Sequence, residues 1–154
     1  MLNSSYLDAS ALRCNCTAIR QAARHMTRFY DGCLAEVGLR GTQYIILLFL
    51  SRRGAVTMAE LAEALVMDRT TTGHNLKPLE RGGFIEVRVC ASDRRARVIS
   101  LTQRGVLKVD EGRAAWTRAQ DKFEQSFGSG KARDMRQVMD EVAHVDFDNQ
   151  ALGS

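Results

Sequence analysis

Apolar residues recur along the first part of this chain with a helical rhythm. From about Ser10 to Val37 the stripe Leu12, Cys16, Ile19, Ala23, Met26, Tyr30, Cys33, Val37 advances by alternating steps of four and three. That is a heptad seam, the pattern of one long helix lying against another, often across a dimer interface. Gly38 ends this helix. Thr42 to Ser51 carries Tyr44-Ile-Ile-Leu-Leu-Phe-Leu50, too short an apolar run for a membrane span and suited to a compact core helix. Arg52-Arg53-Gly54 turns the chain into an extended stub, Ala55 to Thr57. Thr57 and Glu60 then make a capping box for a helix over Met58 to Leu65. After Val66-Met67, Asp68 caps a helix from Arg69 to about Arg81, closed by Gly82-Gly83.

Beyond Gly83 the period changes to two. Phe84 to Cys90 and Ala96 to Leu101 alternate, separated by the polar turn Ala91-Ser-Asp-Arg-Arg95, which predicts a hairpin. Thr102 caps a long polar helix to about Phe127, Gly128-Ser-Gly130 breaks it, and a last helix spans about Lys131 to Phe147. Two short helices joined by Val66-Met67-Asp68 and followed by a hairpin read as a winged helix-turn-helix. The expected fold is mainly α (α+β), a single chain over 1–154. The winged DNA-binding region is 42–101, between long dimerisation helices at 10–37 and 103–148.

Composition bounds the class. A chain of 154 residues, 45% apolar and 26% charged, is one ordinary globular domain. No membrane span and no leader pattern appear, so a cytoplasmic location is expected. The net charge of +4 is modest, but residues 68–104 hold eight Lys/Arg against four Asp/Glu and the remainder balances at 14 and 14. The whole excess falls on the segment expected to meet DNA, although a solvated basic face has the same composition.

Helical spacing sorts that segment. Leu76 and Leu79, with Thr72 in line, face the core, while Thr70, His74, Lys77 and Arg81 lie opposite, flanked by Thr71 and Asn75. Thr and Asn near a helix N-terminus suit base edges and phosphates, so the expected DNA contacts are Arg69, Thr70, Thr71, Thr72, His74, Asn75, Lys77 and Arg81. In the wing, Arg94 and Arg95 at the tip suit a narrow minor groove and Arg97 a phosphate. Asp93 either orients an arginine or shapes the turn. Pro78 deletes a helical hydrogen bond and crowds the His74 carbonyl, predicting a bend.

These residues carry a resemblance. Leu61-Ala-Glu-Ala-Leu65, Asp68-Arg-Thr-Thr-Thr, Leu79-Glu-Arg-Gly-Gly-Phe-Ile85 and Asp93-Arg-Arg-Ala-Arg-Val-Ile-Ser-Leu-Thr-Gln-Arg-Gly105 resemble the MarR family of winged-helix regulators, over about residues 10–147. The resemblance implies a homodimer on a pseudo-palindromic operator in double-stranded DNA, dimerised by the first and last two helices. It also implies a brace between Asp68 and Arg95. The implied activity is repression relieved by a small phenolic or aromatic ligand, or by thiol oxidation.

For the ligand, a small aromatic or anionic effector, Arg20, Arg24, His25, Arg28 and Tyr44 offer charge and hydrogen bonds, although they also suit a plain polar helix face. This is the expected input. For thiol oxidation, Cys16 precedes Tyr30 by fourteen residues, similar to the first helix of organic-peroxide sensors in the family. About 21 Å of helix separates the two, so only a partner's Tyr30 can approach Cys16. The alternative for Cys16 is a small buried hydrophobe. Cys14 and Cys16, if both helical, point about 200° apart, which disfavours a shared metal. No metal, no cofactor and no enzymatic activity are expected, because phosphate loops, nucleophile elbows and His-Glu-x-x-His are all missing. A dimeric interaction module without DNA binding is the remaining class.

Overall fold

The computed structural model describes residues 14–147, so the expected helix start at 10–13, including Leu12, and residue 148 lie outside the described residues. The first helix, α1, is Asn15–Leu34; a 3-10 turn, Ala35–Val37, carries it to Gly38 at φ 70°. Next come α2 (Gly41–Arg53), β1 (Val56–Thr57), α3 (Met58–Ala64) and α4 (Arg69–Arg81). Then follow β2 (Ile85–Val89), β3 (Arg97–Leu101), α5 (Gln103–Phe127) and α6 (Ser129–Ala143). The mainly helical winged-helix class is as expected.

Two boundaries moved for local reasons. The Asp31 carboxylate accepts the Gly41 N–H at 2.7 Å and the Gln43 side chain accepts the Arg40 N–H at 2.9 Å. These acceptors satisfy amides that a helix start leaves open, so α2 begins before Thr42. At the other end, Gly128 takes φ 97° and α6 starts immediately after it, ending at Ala143 rather than Phe147.

The described residues fall into two compact units, one ending at Trp116 and the other beginning at Thr117. In the first unit the sheet order is β1-β3-β2, all antiparallel, with Val56 and Val87 both opposite Ile99. Ile99 is therefore the centre of the sheet, fully buried with Ile85 against Leu47, Leu50, Leu61, Leu76 and Leu79. Thr102 ties the hairpin to the next helix: its hydroxyl donates to the Gly83 carbonyl at 2.6 Å and accepts the Gly105 N–H at 3.0 Å. In the second unit Phe123 stacks on Phe127 and Arg136 reaches Glu124 at 3.1 Å, while Val138, Met139 and Val142 of α6 stay exposed.

The seam of α1 behaves differently from a core stripe. Its fully buried residue is Leu34, one position off the seam, whereas Cys16, Ile19 and Ala23 are exposed. α1 and α2 meet at a 71° break, and among the described residues no single helix is long and apolar enough to cross a membrane.

Candidate nucleic-acid interface

The geometry of the helix-turn-helix begins with how α3 ends. Val66 N–H bonds Glu63 O at 3.1 Å and Met67 N–H bonds Ala62 O at 2.8 Å, with Val66 at φ 51°. This six-to-one closure places a β-branched residue in left-handed backbone, where an L side chain costs about 1–2 kcal/mol.

Asp68 then starts α4. Its carboxylate accepts the Thr71 N–H at 2.8 Å and the Thr71 hydroxyl at 2.7 Å, and these bonds hold it below the usual carboxylate range. The expected brace to Arg95 is absent among the described residues. An N-cap carboxylate finds nearer donors in its own helix, and ordering a long exposed arginine returns little. Thr72 is also corrected. It is fully buried and its hydroxyl donates to the Asp68 carbonyl at 2.8 Å, so it belongs with Leu76 and Leu79 in the core and cannot touch DNA. Asn75 is half-buried and its amide donates to the Thr71 carbonyl at 2.9 Å. Arg69, Thr70, Thr71, His74, Lys77 and Arg81 are exposed. The helix runs unbroken through Pro78.

In the wing, Asp93 shapes the turn: its carboxylate accepts the Arg95 N–H at 2.9 Å and its carbonyl accepts the Ala96 N–H at 3.0 Å. Arg94 and Arg95 stand exposed at the tip and Arg97 on β3. Cys90, at the base of the wing, lies 3.2 Å from the Ser92 hydroxyl, which with the Ser92 amide lowers its pKa.

The electrostatic outcome is a division of labour. The acids Asp68 and Asp93 are occupied by local donors, and Glu86 takes Arg88 at 2.7 Å. Arg104 lies over the Phe84 ring, 5.3 Å from its centroid. Arg69, Lys77, Arg81, Arg94, Arg95 and Arg97 form no ion pair among the described residues. These six side chains on α4 and the hairpin are therefore exposed cations with no ion pair among the described residues.

The expected effector residues divide between exposed positions along α1 and more enclosed aromatic ones. Arg20, Arg24, His25 and Arg28 are exposed along α1, and Tyr30 is half-buried with Phe29 edge-on at 5.3 Å. Tyr44 is 1% exposed and tilts against Trp116 at 6.2 Å. Burial pushes its phenol pKa up, opposed by the charges of Arg113 and Arg52. An effector cannot reach it in this chain, so that expectation is corrected; Tyr44 is a core residue at the head of an apolar run. An open hollow of about 560 Å³ beside Phe49, Arg53, Glu60 and Glu63 includes none of the expected set.

The cysteines also differ from expectation. Cys14 is the extended N-cap of α1 (φ −73°, ψ 115°), outside the helix. The 200° separation from Cys16, which assumed two helical residues, therefore does not apply. Both thiols are exposed. The hydroxyl and amide of Thr17, then the Cys16 amide, hold the Cys14 thiol below its ordinary pKa. Sequence reasoning passed over Cys14 because it lies off the apolar stripe.

A short helix pair joined by a tight turn, a three-stranded sheet and a basic hairpin tip define a winged helix-turn-helix protein. Comparison with known proteins narrows this. The model of the MarR family matches residues 37–96. The transcriptional regulator MOSR of M. tuberculosis, solved in complex with DNA, is 31% identical with a TM-score of 0.71, covering 86% of this chain and all of that one. The organic hydroperoxide resistance transcriptional regulator of Bacillus subtilis (strain 168) is 32% identical over 92 residues, 60% of this chain. That match spans 63% of the length of the Bacillus protein. The repressor CouR, bound to a 23-mer DNA duplex, shares the fold at 22% identity, with a TM-score of 0.77 over 91% of this chain and all of that one. The chain belongs to the MarR family of transcription regulators.

Proposed function

We propose that this protein is a homodimeric transcription repressor that binds a pseudo-palindromic operator and releases it when a thiol of α1 is oxidised. The observation that carries the DNA half is the row of six uncompensated cations on α4 and the wing. Phosphates dominate protein–DNA affinity, and cations already spent on ion pairs release no counterions. MOSR and CouR were each solved bound to DNA, and the same use is proposed here. Arg69, Thr70, Lys77 and Arg81 hold backbone, Thr71, His74 and Asn75 meet groove edges, and Arg94, Arg95 and Arg97 reach the flanking duplex. The proposed domain plan takes 42–101 as the DNA-binding region. Dimerisation by 10–37 and 103–148 is supported by the apolar residues Ile19, Val138, Met139 and Val142, which stay exposed among the described residues.

For the signal, two exposed thiols at the start of α1 and a lowered Cys14 pKa support oxidation, as does a relative named for organic hydroperoxide resistance. A thiolate attacks the terminal peroxide oxygen, the O–O bond breaks, and the products are a sulfenic acid and, after protonation, an alcohol. Cys16 remains the candidate from its position before Tyr30, and Cys14 joins it. A second reading, release by a small anionic or aromatic effector, rests on Arg20, Arg24 and Arg28. They recur at four-residue spacing, and α1 holds no acid before Asp31.

The test is fluorescence anisotropy with a duplex from the protein's own promoter, under reducing conditions and then with an organic hydroperoxide. Tight, salt-sensitive binding that Cys14→Ser or Cys16→Ser protects from peroxide supports the proposal. Peroxide release in the double variant would transfer the signal away from these thiols, and no binding at any salt concentration would remove the DNA function itself.

A further inference from the structure

Most described glycines have a reason within the chain. Gly38, Gly54, Gly83 and Gly128 take positive φ, while a Cβ at Gly82 or Gly112 would meet the Phe84 or Tyr44 ring, and one at Gly105 the Phe84 carbonyl. Gly73 has none: nothing lies within 4 Å of where its Cβ would stand, and its φ is not positive. Gly32 and Gly130 are equally open but sit near helix ends, at Asn15–Leu34 and Ser129–Ala143. Gly73 is the fifth of thirteen residues in α4, an interior position where glycine weakens a helix relative to alanine. Folding alone therefore favours a side chain there.

The surroundings of the gap suggest what fills it. Thr70 and Lys77 lie three and four residues away on the same flank of α4, both exposed. Neither the Thr70 hydroxyl nor the Lys77 ammonium bonds to another described group. The notch is thus a backbone floor between a hydroxyl donor and an ammonium. A compact anion that must sit close to the helix, such as a phosphodiester of duplex DNA, matches that shape and charge. We infer that Gly73 is the point where α4 approaches a groove-wall phosphate most closely, with Thr70 and Lys77 gripping that phosphate from either side. This rests on the DNA-binding reading above.

A side chain at position 73 should therefore help folding and hinder binding. Gly73→Ala should raise the Tm by about 2 °C, from helix propensity alone. On an operator duplex selected with the wild-type protein, the same variant should bind at least tenfold more weakly, and Gly73→Val more weakly still. The slope of log affinity against log salt should stay unchanged, because the loss is steric. Wild-type binding with unaltered Gly73→Ala affinity would overturn the close approach and leave the DNA function intact. A wild-type protein that binds no duplex would overturn both.

Discussion

Lys77 and Arg88 are both exposed cations of the basic segment, yet only one should matter for DNA. Arg88 already lies 2.7 Å from Glu86, whereas Lys77 pairs with no acid among the described residues. In a dimer, Lys77→Ala deletes two phosphate contacts. At about 0.9 per contact, the slope of log affinity against log salt should become shallower by about 1.8. Between 50 and 200 mM salt the wild type should then lose about twelvefold more affinity than the variant. Arg88→Ala should change the slope little. The six uncompensated cations per chain set a ceiling for the wild type of about −11 if every one meets a phosphate in the dimer. Anisotropy titrations at four or five salt concentrations read the slopes, and thermal melts control for folding, since an exposed and unbonded Lys77 should shift stability by under about 0.5 kcal/mol. Equal slopes for Lys77→Ala and the wild type would refute the phosphate contact. An equal effect from Arg88→Ala would refute the distinction between paired and free cations.

Gly112→Ala should cost about 1–3 kcal/mol in urea unfolding, because the added methyl would stand 2.6 Å from the Tyr44 ring; Gly105→Ala should cost more, since its methyl would meet the rigid Phe84 carbonyl. Val66→Gly should stabilise the protein by about 1 kcal/mol, by relieving a left-handed β-branched residue. Acid titration of stability should show the sign set by Asp68 and Glu60. Both are held below the ordinary carboxylate range by Thr71 and Thr57 donors, so their contribution is complete above about pH 5 and is lost as pH falls through the carboxylate range towards their lowered values. Asp68→Asn should flatten part of that loss. Alkylation of Cys14, followed by mass spectrometry against pH, should show a midpoint below that of an ordinary thiol.

Much of this was legible because the determinants were local. The Thr57–Glu60 box, the Asp68 cap, the hairpin alternation and the Thr102 cap each operate within a few residues, and each appears where the pattern placed it. What was hidden depended on tertiary context. Tyr44 and Thr72 carry hydroxyls that suit a site, and only the packing of α2 and α4 shows them enclosed. The Asp68–Arg95 brace required knowing which of two donors wins, and the nearer Thr71 does. Cys14 was misjudged because a helix boundary, the least certain feature of a sequence, decides whether its neighbour lies opposite or alongside. The left-handed Val66 left no sign, since glycine is what usually marks that conformation.

The most direct test of the central claim is affinity selection of fragmented genomic DNA by the reduced, full-length protein, with sequencing of the bound pool. One pseudo-palindromic site should be enriched, and that enrichment should be lost when Arg94 and Arg95 are both replaced by alanine in a protein that still folds. A pool with no enriched site, or the same site retained by that double variant, would contradict it.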